Sequence, residues 1–128
     1  MRLLLDTHVA LWAITDDARL KEHGRSLILD PSNMVVVSAV SVWEIAIKHA
    51  LGRGDMPVSA ADALLYFKAA GYSLLDVTAE HASQVEVLAP IHADPFDRLL
   101  VAQALCEPLR LMTHDALMAR YSETIISV

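Results

Sequence analysis

Met34-Val35-Val36-Val37-Ser38-Ala39-Val40-Ser41-Val42-Trp43-Glu44-Ile45-Ala46-Ile47-Lys48-His49-Ala50-Leu51-Gly52 carries the change of pattern that decides the fold. Met34 to Val37 is an unbroken aliphatic run, which reads as a strand buried on both faces. From Ser41 the chain reads as a helix that runs through Ile45 and Ala46 to Leu51 and is closed by Gly52. The segment around Glu44 is apolar nearly all round, so that helix is expected to be buried. The same alternation continues outward in both directions. Leu3–Leu5, Tyr72–Val77 and Leu109–Thr113 read as further buried strands, with Thr124–Val128 as an edge strand. Helices are expected from Ser59 to Gly71, from about Ala79 to Leu88, and from Asp94-Pro95 onward, with Asp94 as N-cap and Pro95 in the first helical position. Strands separated by helices mean βαβ units and a parallel sheet, whose ligand sites lie beyond the carboxyl ends of the strands.

Composition narrows the class. The 128 residues suit one domain, and no repeat, low-complexity tract or linker divides them. A hydrophobic fraction of 55% excludes disorder. That fraction, with a mean hydropathy of +0.40, points to apolar surface covered by a partner. Ten Lys+Arg against sixteen Asp+Glu give a formal charge of −6, which excludes a simple module gripping DNA through its phosphates. An acidic enzyme with a cation-filled site remains compatible, because bound ions invert the local charge. The lone Cys106 can form neither an internal disulfide nor a thiolate zinc site, so a reducing compartment is expected. Arg2 and Leu3–Leu5 begin like a signal peptide, but Asp6 and His8 interrupt the run. The uncharged stretch from Pro31 to Trp43 falls short of the ~20 residues of a membrane helix. A cytoplasmic protein with no membrane association is the expectation.

Most of the acids sit in polar surroundings; Asp16, Asp17, Glu22, Asp55, Asp62, Glu80 and Glu107 read as solvated surface. Four do not. Asp6 ends the first strand, Glu44 interrupts an apolar helix, Asp97 precedes Leu99-Leu100-Val101-Ala102, and Asp115 follows the strand ending in Thr113-His114. Each has an ordinary reading. Ser41-x-x-Glu44 matches a capping box, and Glu44 with Lys48 has the i,i+4 spacing of a helix-surface pair. Asp97 would suit the dipole of a helix start, while Asp6 and Asp115 would cap the helices that follow. Jointly these readings fare worse, because all four acids fall at one edge of the expected sheet. At an effective dielectric of about 20, two carboxylates ~4 Å apart repel by about 4 kcal/mol. Such a cluster persists if cations neutralise it or some carboxyls stay protonated. All-oxygen ligation selects a hard ion, Mg²⁺ or Mn²⁺. Paired ions of this kind hydrolyse phosphodiesters.

The blocks Leu4-Leu5-Asp6-Thr7-His8, Ser38 to Lys48, His92-Ala93-Asp94-Pro95-Phe96-Asp97-Arg98-Leu99-Leu100-Val101-Ala102-Gln103-Ala104 and Thr113-His114-Asp115 resemble a PIN domain. More narrowly, they are similar to the VapC-type toxins of bacterial toxin–antitoxin pairs. The resemblance runs from end to end, with the blocks in family order. It implies one PIN domain over residues 1–128, a three-layer α/β/α fold with a central, mostly parallel sheet of four to five strands, and Mg²⁺-dependent endoribonuclease activity, with Mn²⁺ as a substitute. The family's acids carry over onto Asp6, Glu44, Asp97 and Asp115 as catalytic and metal-binding residues. Asp6, Asp97 and Asp115 would hold metal directly, and Glu44 would complete the shell or orient the attacking water. Thr7 and Thr113 would donate hydrogen bonds to these carboxylates. Asp94 competes with Asp97 for its place; Asp97 is preferred because Asp94-Pro95 reads as a helix start. The implied partners are an RNA substrate and a cognate antitoxin whose C-terminal segment blocks the site, and a homodimer is the expected assembly.

His8, His92 and His114 lie beside the acids, yet no pair has the H-x₃₋₅-H spacing of metal ligands, and all three read as structural or solvent-facing. Arg98 reads as a salt-bridge partner of nearby carboxylates. Trp12 and Trp43 read as core or dimer contacts. A two-component receiver domain would need a lysine after its last strands, whereas the only lysines are Lys21, Lys48 and Lys68. A haloacid-dehalogenase-type phosphatase would need Asp-x-Asp where this chain has Asp6-Thr7-His8. The surviving alternative is a non-catalytic interaction module whose acidic cluster receives a basic peptide.

Overall fold

The computed structural model describes residues 1–52 and 56–128; Asp55, read above as solvated surface, lies outside them. In chain order the elements are β1 (Arg2–Leu5), α1 (Thr7–Thr15), α2 (Glu22–Leu29), β2 (Met34–Ser38), α3 (Ala39–Ala50), α4 (Ala60–Ala69), β3 (Ser73–Leu75), α5 (Ala79–Gln84), a 3₁₀ turn at Val85–Val87, α6 (Pro95–Cys106), β4 (Arg110–Thr113), α7 (Ala116–Ala119) and β5 (Ile126–Ser127). The strands form one five-stranded sheet in the order β3-β2-β1-β4-β5. Every pairing is parallel. The fold is therefore the expected three-layer α/β/α arrangement.

The buried middles of the central strands, Leu3–Leu5, Val35–Val37 and Leu111-Met112, are apolar because both sides of the sheet are covered. Leu4 pairs with Val36 and Leu111, and these three point to one face with Leu100, Val101 and Ala104 of α6 and Met118 of α7. Leu3, Leu5, Val35, Val37 and Met112 point to the other, against Val9–Trp12 of α1, Ile28 of α2 and Ala63 and Phe67 of α4. Strand alternation thus feeds two cores. From β1 the chain adds β2 and β3 on one side, then crosses to add β4 and β5 on the other. The reversal falls between β1 and β4, where open α/β sheets form a crevice at their carboxyl ends.

Several expectations change in detail. Helix α3 begins at Ala39 rather than after Ser41; Ser38 is its N-cap and accepts from the Val40 N–H at 3.0 Å. This overturns the capping-box reading of Ser41 and Glu44. The helix does end as expected, with Gly52 at φ +69°, a left-handed conformation that glycine adopts without a Cβ penalty. Nor is α3 buried all round, since Trp43 on its outer side is 56% exposed. Strand β3 is a short edge strand with Leu74 exposed, not a buried one. The helix expected over Ala79–Leu88 is two pieces, α5 and the 3₁₀ turn. Helix α2 has no counterpart in the sequence reading.

Candidate metal centre

Three of the four singled-out acids, Asp6, Asp97 and Asp115, stand where a strand ends or a helix begins, and Glu44 lies in the middle of α3. Asp6 follows β1 and caps α1: its Oδ1 accepts from the Val9 N–H at 2.8 Å. Its Oδ2 accepts from the Thr113 hydroxyl. That hydroxyl in turn accepts the Asp115 N–H at 2.9 Å, so Thr113 ties the ends of β1 and β4 together. Asp115 caps α7, with Oδ1 accepting from the N–H groups of Leu117 at 2.7 Å and Met118 at 3.2 Å. Asp97 sits in the first turn of α6, where Asp94 is the N-cap and accepts from the N–H groups of Phe96 and Asp97. Glu44 points inward from α3 and is 2% exposed. Thr7 donates to its Oε1 at 2.6 Å and Lys48 to its Oε2 at 2.6 Å. The pair with Lys48 is therefore a buried carboxylate's counter-charge, not a surface ornament.

Electrostatics reflects the crowding. Burial pushes the Asp97 carboxyl up to about 7, and the negative charges of Asp94, Glu44 and Asp6 add to that while His92 opposes it. Burial also raises Asp6, partly offset by its hydrogen bonds from Thr113 and Val9. At Asp115 burial acts upward, but hydrogen bonds from His92, Leu117 and Met118 together hold the carboxyl below its ordinary value. A carboxyl half-ionised at neutrality among like charges is what a cation would relieve.

The acids do not form one uniform quartet. Ligand atoms of Asp97, Asp115 and His92 all lie within 4.8 Å of one another, and this group extends to neither Asp6 nor Glu44. Beside it opens a cleft of about 320 Å³ lined by Asp6, His8, Trp12, Arg19, His114 and Asp115. A donor set of carboxylate oxygens with one imidazole, and no thiolate since Cys106 is exposed on the last turn of α6, fits a hard divalent cation.

A model of the PIN-domain family matches residues 3–123. The chain belongs to the PIN-domain family. Comparison with curated proteins finds no match. Among solved structures, this PIN domain is similar to VapBC2 from Rickettsia felis bound to a DNA fragment from their promoter. That match has a TM-score of 0.72 and 16% identity, covering 100% of this chain and 98% of the other. It is also similar to VapBC-1 from nontypeable Haemophilus influenzae, with a TM-score of 0.67 and 16% identity over 100% of this chain and 97% of the other. A toxin-antitoxin complex from Klebsiella pneumoniae follows, with a TM-score of 0.65 and 12% identity over 98% and 96% of the two chains. At such identities the likeness is one of fold.

The structure corrects the readings of Arg98 and Glu107 in this PIN domain and gives His92, Trp12 and Trp43 defined neighbours. His92, read as structural or solvent-facing, has its Nε2 2.9 Å from Asp115 Oδ2 and 3.1 Å from Asp97 Oδ2. The signal available was its place in the loop that delivers Asp94-Pro95 and Asp97; the spacing rule for paired histidines does not test a histidine acting alone. Arg98 makes no carboxylate bridge among the described residues; it donates to the carbonyls of Val85, Ala89 and His92 and to the Tyr121 hydroxyl. Trp12 is core, whereas Trp43 stands on the surface with its ring edge-on to Phe96 at 5.0 Å. Glu107, taken as solvated, accepts from the buried His81 Nε2 at 2.7 Å.

Proposed function

We propose that this single PIN domain, spanning residues 1–128, is a VapC-type toxin: a metal-dependent endoribonuclease that hydrolyses RNA phosphodiesters and is held in check by a cognate antitoxin. The observation that carries the reading is the meeting of Asp97 and Asp115 at the sheet's switch point beside buried Asp6 and Glu44. Mg²⁺, or Mn²⁺ in its place, is the proposed ion. When bound, such a cation neutralises phosphate charge and makes an attacking water more acidic.

The chain's own residues do the rest. Asp97 and Asp115 would hold the ion through oxygens from two different elements, with Asp6 as the third acid. Thr113 keeps Asp6 and the Asp115 backbone in register. Glu44, held between Thr7 and Lys48, adds to the negative charge around Asp6 and Asp97 that a cation would relieve, and would complete the shell or orient the attacking water. The neighbouring cleft, with Arg19 over the Trp12 ring at 5.2 Å, gives the polyanion a route to the acids.

Protein partners are supported by an apolar groove of about 330 Å³ lined by residues that include Val42, Trp43, Leu64 and Leu74, and by the toxin-antitoxin complexes that share the fold. A homodimer and a cytoplasmic location complete the proposal. The described residues contain no helix long and apolar enough to cross a membrane.

The test is incubation of antitoxin-free protein with a mixed RNA pool in Mg²⁺ or Mn²⁺, with EDTA and Asp97→Asn as controls. Cleavage lost in both controls is expected, with the variant reduced at least a hundredfold. Cleavage that persists in EDTA, or in the variant, contradicts the proposal.

A further inference from the structure

His92 is tied down on four sides. Its backbone N–H donates to the Tyr121 hydroxyl at 2.9 Å, and its carbonyl accepts from Arg98 at 3.3 Å. Arg98 also gathers the Val85 and Ala89 carbonyls and donates to the same Tyr121 hydroxyl at 3.1 Å, so one guanidinium fixes the loop that carries the histidine. On the ring, the Asp94 N–H donates to Nδ1 at 3.1 Å, and Nε2 faces both Asp115 Oδ2 and Asp97 Oδ2.

These neighbours assign the two nitrogens. An Nδ1 that accepts a backbone N–H carries no proton of its own, so the ring proton sits on Nε2. An imidazole that binds a metal through Nε2 needs that lone pair open and its proton on Nδ1, where it would confront the Asp94 N–H. The geometry that makes His92 look like a third ligand therefore argues against it. A donor at Nε2 suits two carboxylates; each has about four lone-pair positions and can accept from His92 while offering another to a cation.

Resting on the metal-site reading above, we infer that His92 is a positioning residue: its Nε2–H donates to Asp115 after β4 and faces Asp97 of α6 at 3.1 Å, and so sets the spacing of the two carboxylates without itself touching the ion. Orienting groups of this kind are worth about 10–100-fold in metal affinity. Arg98 and Tyr121 act one step further back, holding the loop from which the ring projects.

The experiment is Mn²⁺ titration of the full chain followed by electron paramagnetic resonance, with ¹⁵N-histidine labelling, for wild type, His92→Gln and His92→Ala. Circular dichroism checks that both variants fold. The glutamine amide can reach the carboxylates as a donor but presents no imidazole nitrogen. We expect wild-type spin-echo spectra without the modulation of a directly bonded imidazole nitrogen, a Mn²⁺ affinity within about threefold for His92→Gln, and a loss of about tenfold or more for His92→Ala. Modulation from a bonded imidazole that both variants lose overturns the inference and makes His92 a ligand. Equal affinity of His92→Ala and wild type overturns it too, as does a glutamine variant as weak as the alanine one. Should His92→Ala not fold, the wild-type spectrum and the glutamine affinity still decide. Failure of wild type to bind Mn²⁺ overturns the metal-site reading itself, and this inference with it.

Discussion

Asp97 concentrates the chemistry of the cluster in one carboxyl. Its native value of about 7 stands above the ordinary 3.8. Between those values the native chain keeps a proton that the unfolded chain has released, so stability of the metal-free protein falls as pH rises through that window and levels off above it. Asp97→Asn carries no charge and escapes this cost. We therefore expect the variant to be more stable than wild type by about 1–3 kcal/mol at pH 8 in EDTA, with little difference at pH 4, as measured by chemical denaturation. A variant less stable at both pH values would show that the carboxylate serves the fold rather than opposing it. At this scale the sequence is informative about charges and poor about partners. Asp6, Glu44, Asp97 and Asp115 stand out because an acid within or beside an aliphatic run is costly to bury. His92 does not, since its role depends on how a loop turns its ring toward two acids remote in sequence. Arg98 misleads for a related reason: the carbonyls it gathers belong to the backbone, which leaves no mark in the choice of neighbouring side chains.

Elements fail to be legible where two start signals compete. Ser38 and Ser41 both precede apolar residues, and only Ser41 is followed three residues later by a glutamate. The structure uses Ser38, because β2 runs on to Ser38 and the helix starts at once. Glu44 is then free of capping duty and turns inward to Thr7 and Lys48. Thermal denaturation should separate the two serines. Ser38→Ala is expected to cost about 1 kcal/mol through loss of the cap. A fully intact stability for Ser38→Ala would return the cap to Ser41. Helix α6 gives the complementary case. Asp94-Pro95 is an unambiguous start, and Asp94 does cap the Phe96 and Asp97 N–H groups. Asp94→Ala is expected to destabilise the protein by about 1 kcal/mol. Asp97→Ala should instead spare the fold and weaken Mn²⁺ binding. The reverse pattern in denaturation and calorimetry would exchange the two roles. Short elements such as β3, α5 and α7 were legible only in outline, since their few residues carry too little periodicity to fix an end.

For the whole molecule, the continuous aliphatic strands reveal a doubly covered parallel sheet, because only a strand buried on both faces tolerates Leu3-Leu4-Leu5 or Val35-Val36-Val37. Strand order is not written in any one run; it follows from packing, and it matters because it sets β1 beside β4 and hence Asp6 beside Thr113 and Asp115. The apolar surplus in the composition is partly accounted for by exposed Trp43, Leu65, Tyr66 and Leu74 on α3, α4 and β3. Like charges held together by the fold weaken it, so a cation that neutralises them should stabilise the whole domain. Millimolar Mn²⁺ or Mg²⁺ is expected to raise the Tm by several degrees, in keeping with about 1–2 kcal/mol of linked binding. Unchanged melting with both ions would leave the cluster without its proposed occupant.

The most direct test of the central claim, that these carboxylates converge on a divalent cation, is anomalous diffraction at the manganese edge from crystals grown with Mn²⁺. A peak is expected within coordination distance of both Asp97 and Asp115, on the side facing Asp6. A peak elsewhere, or none at full exposure of the crystals to Mn²⁺, would contradict that claim.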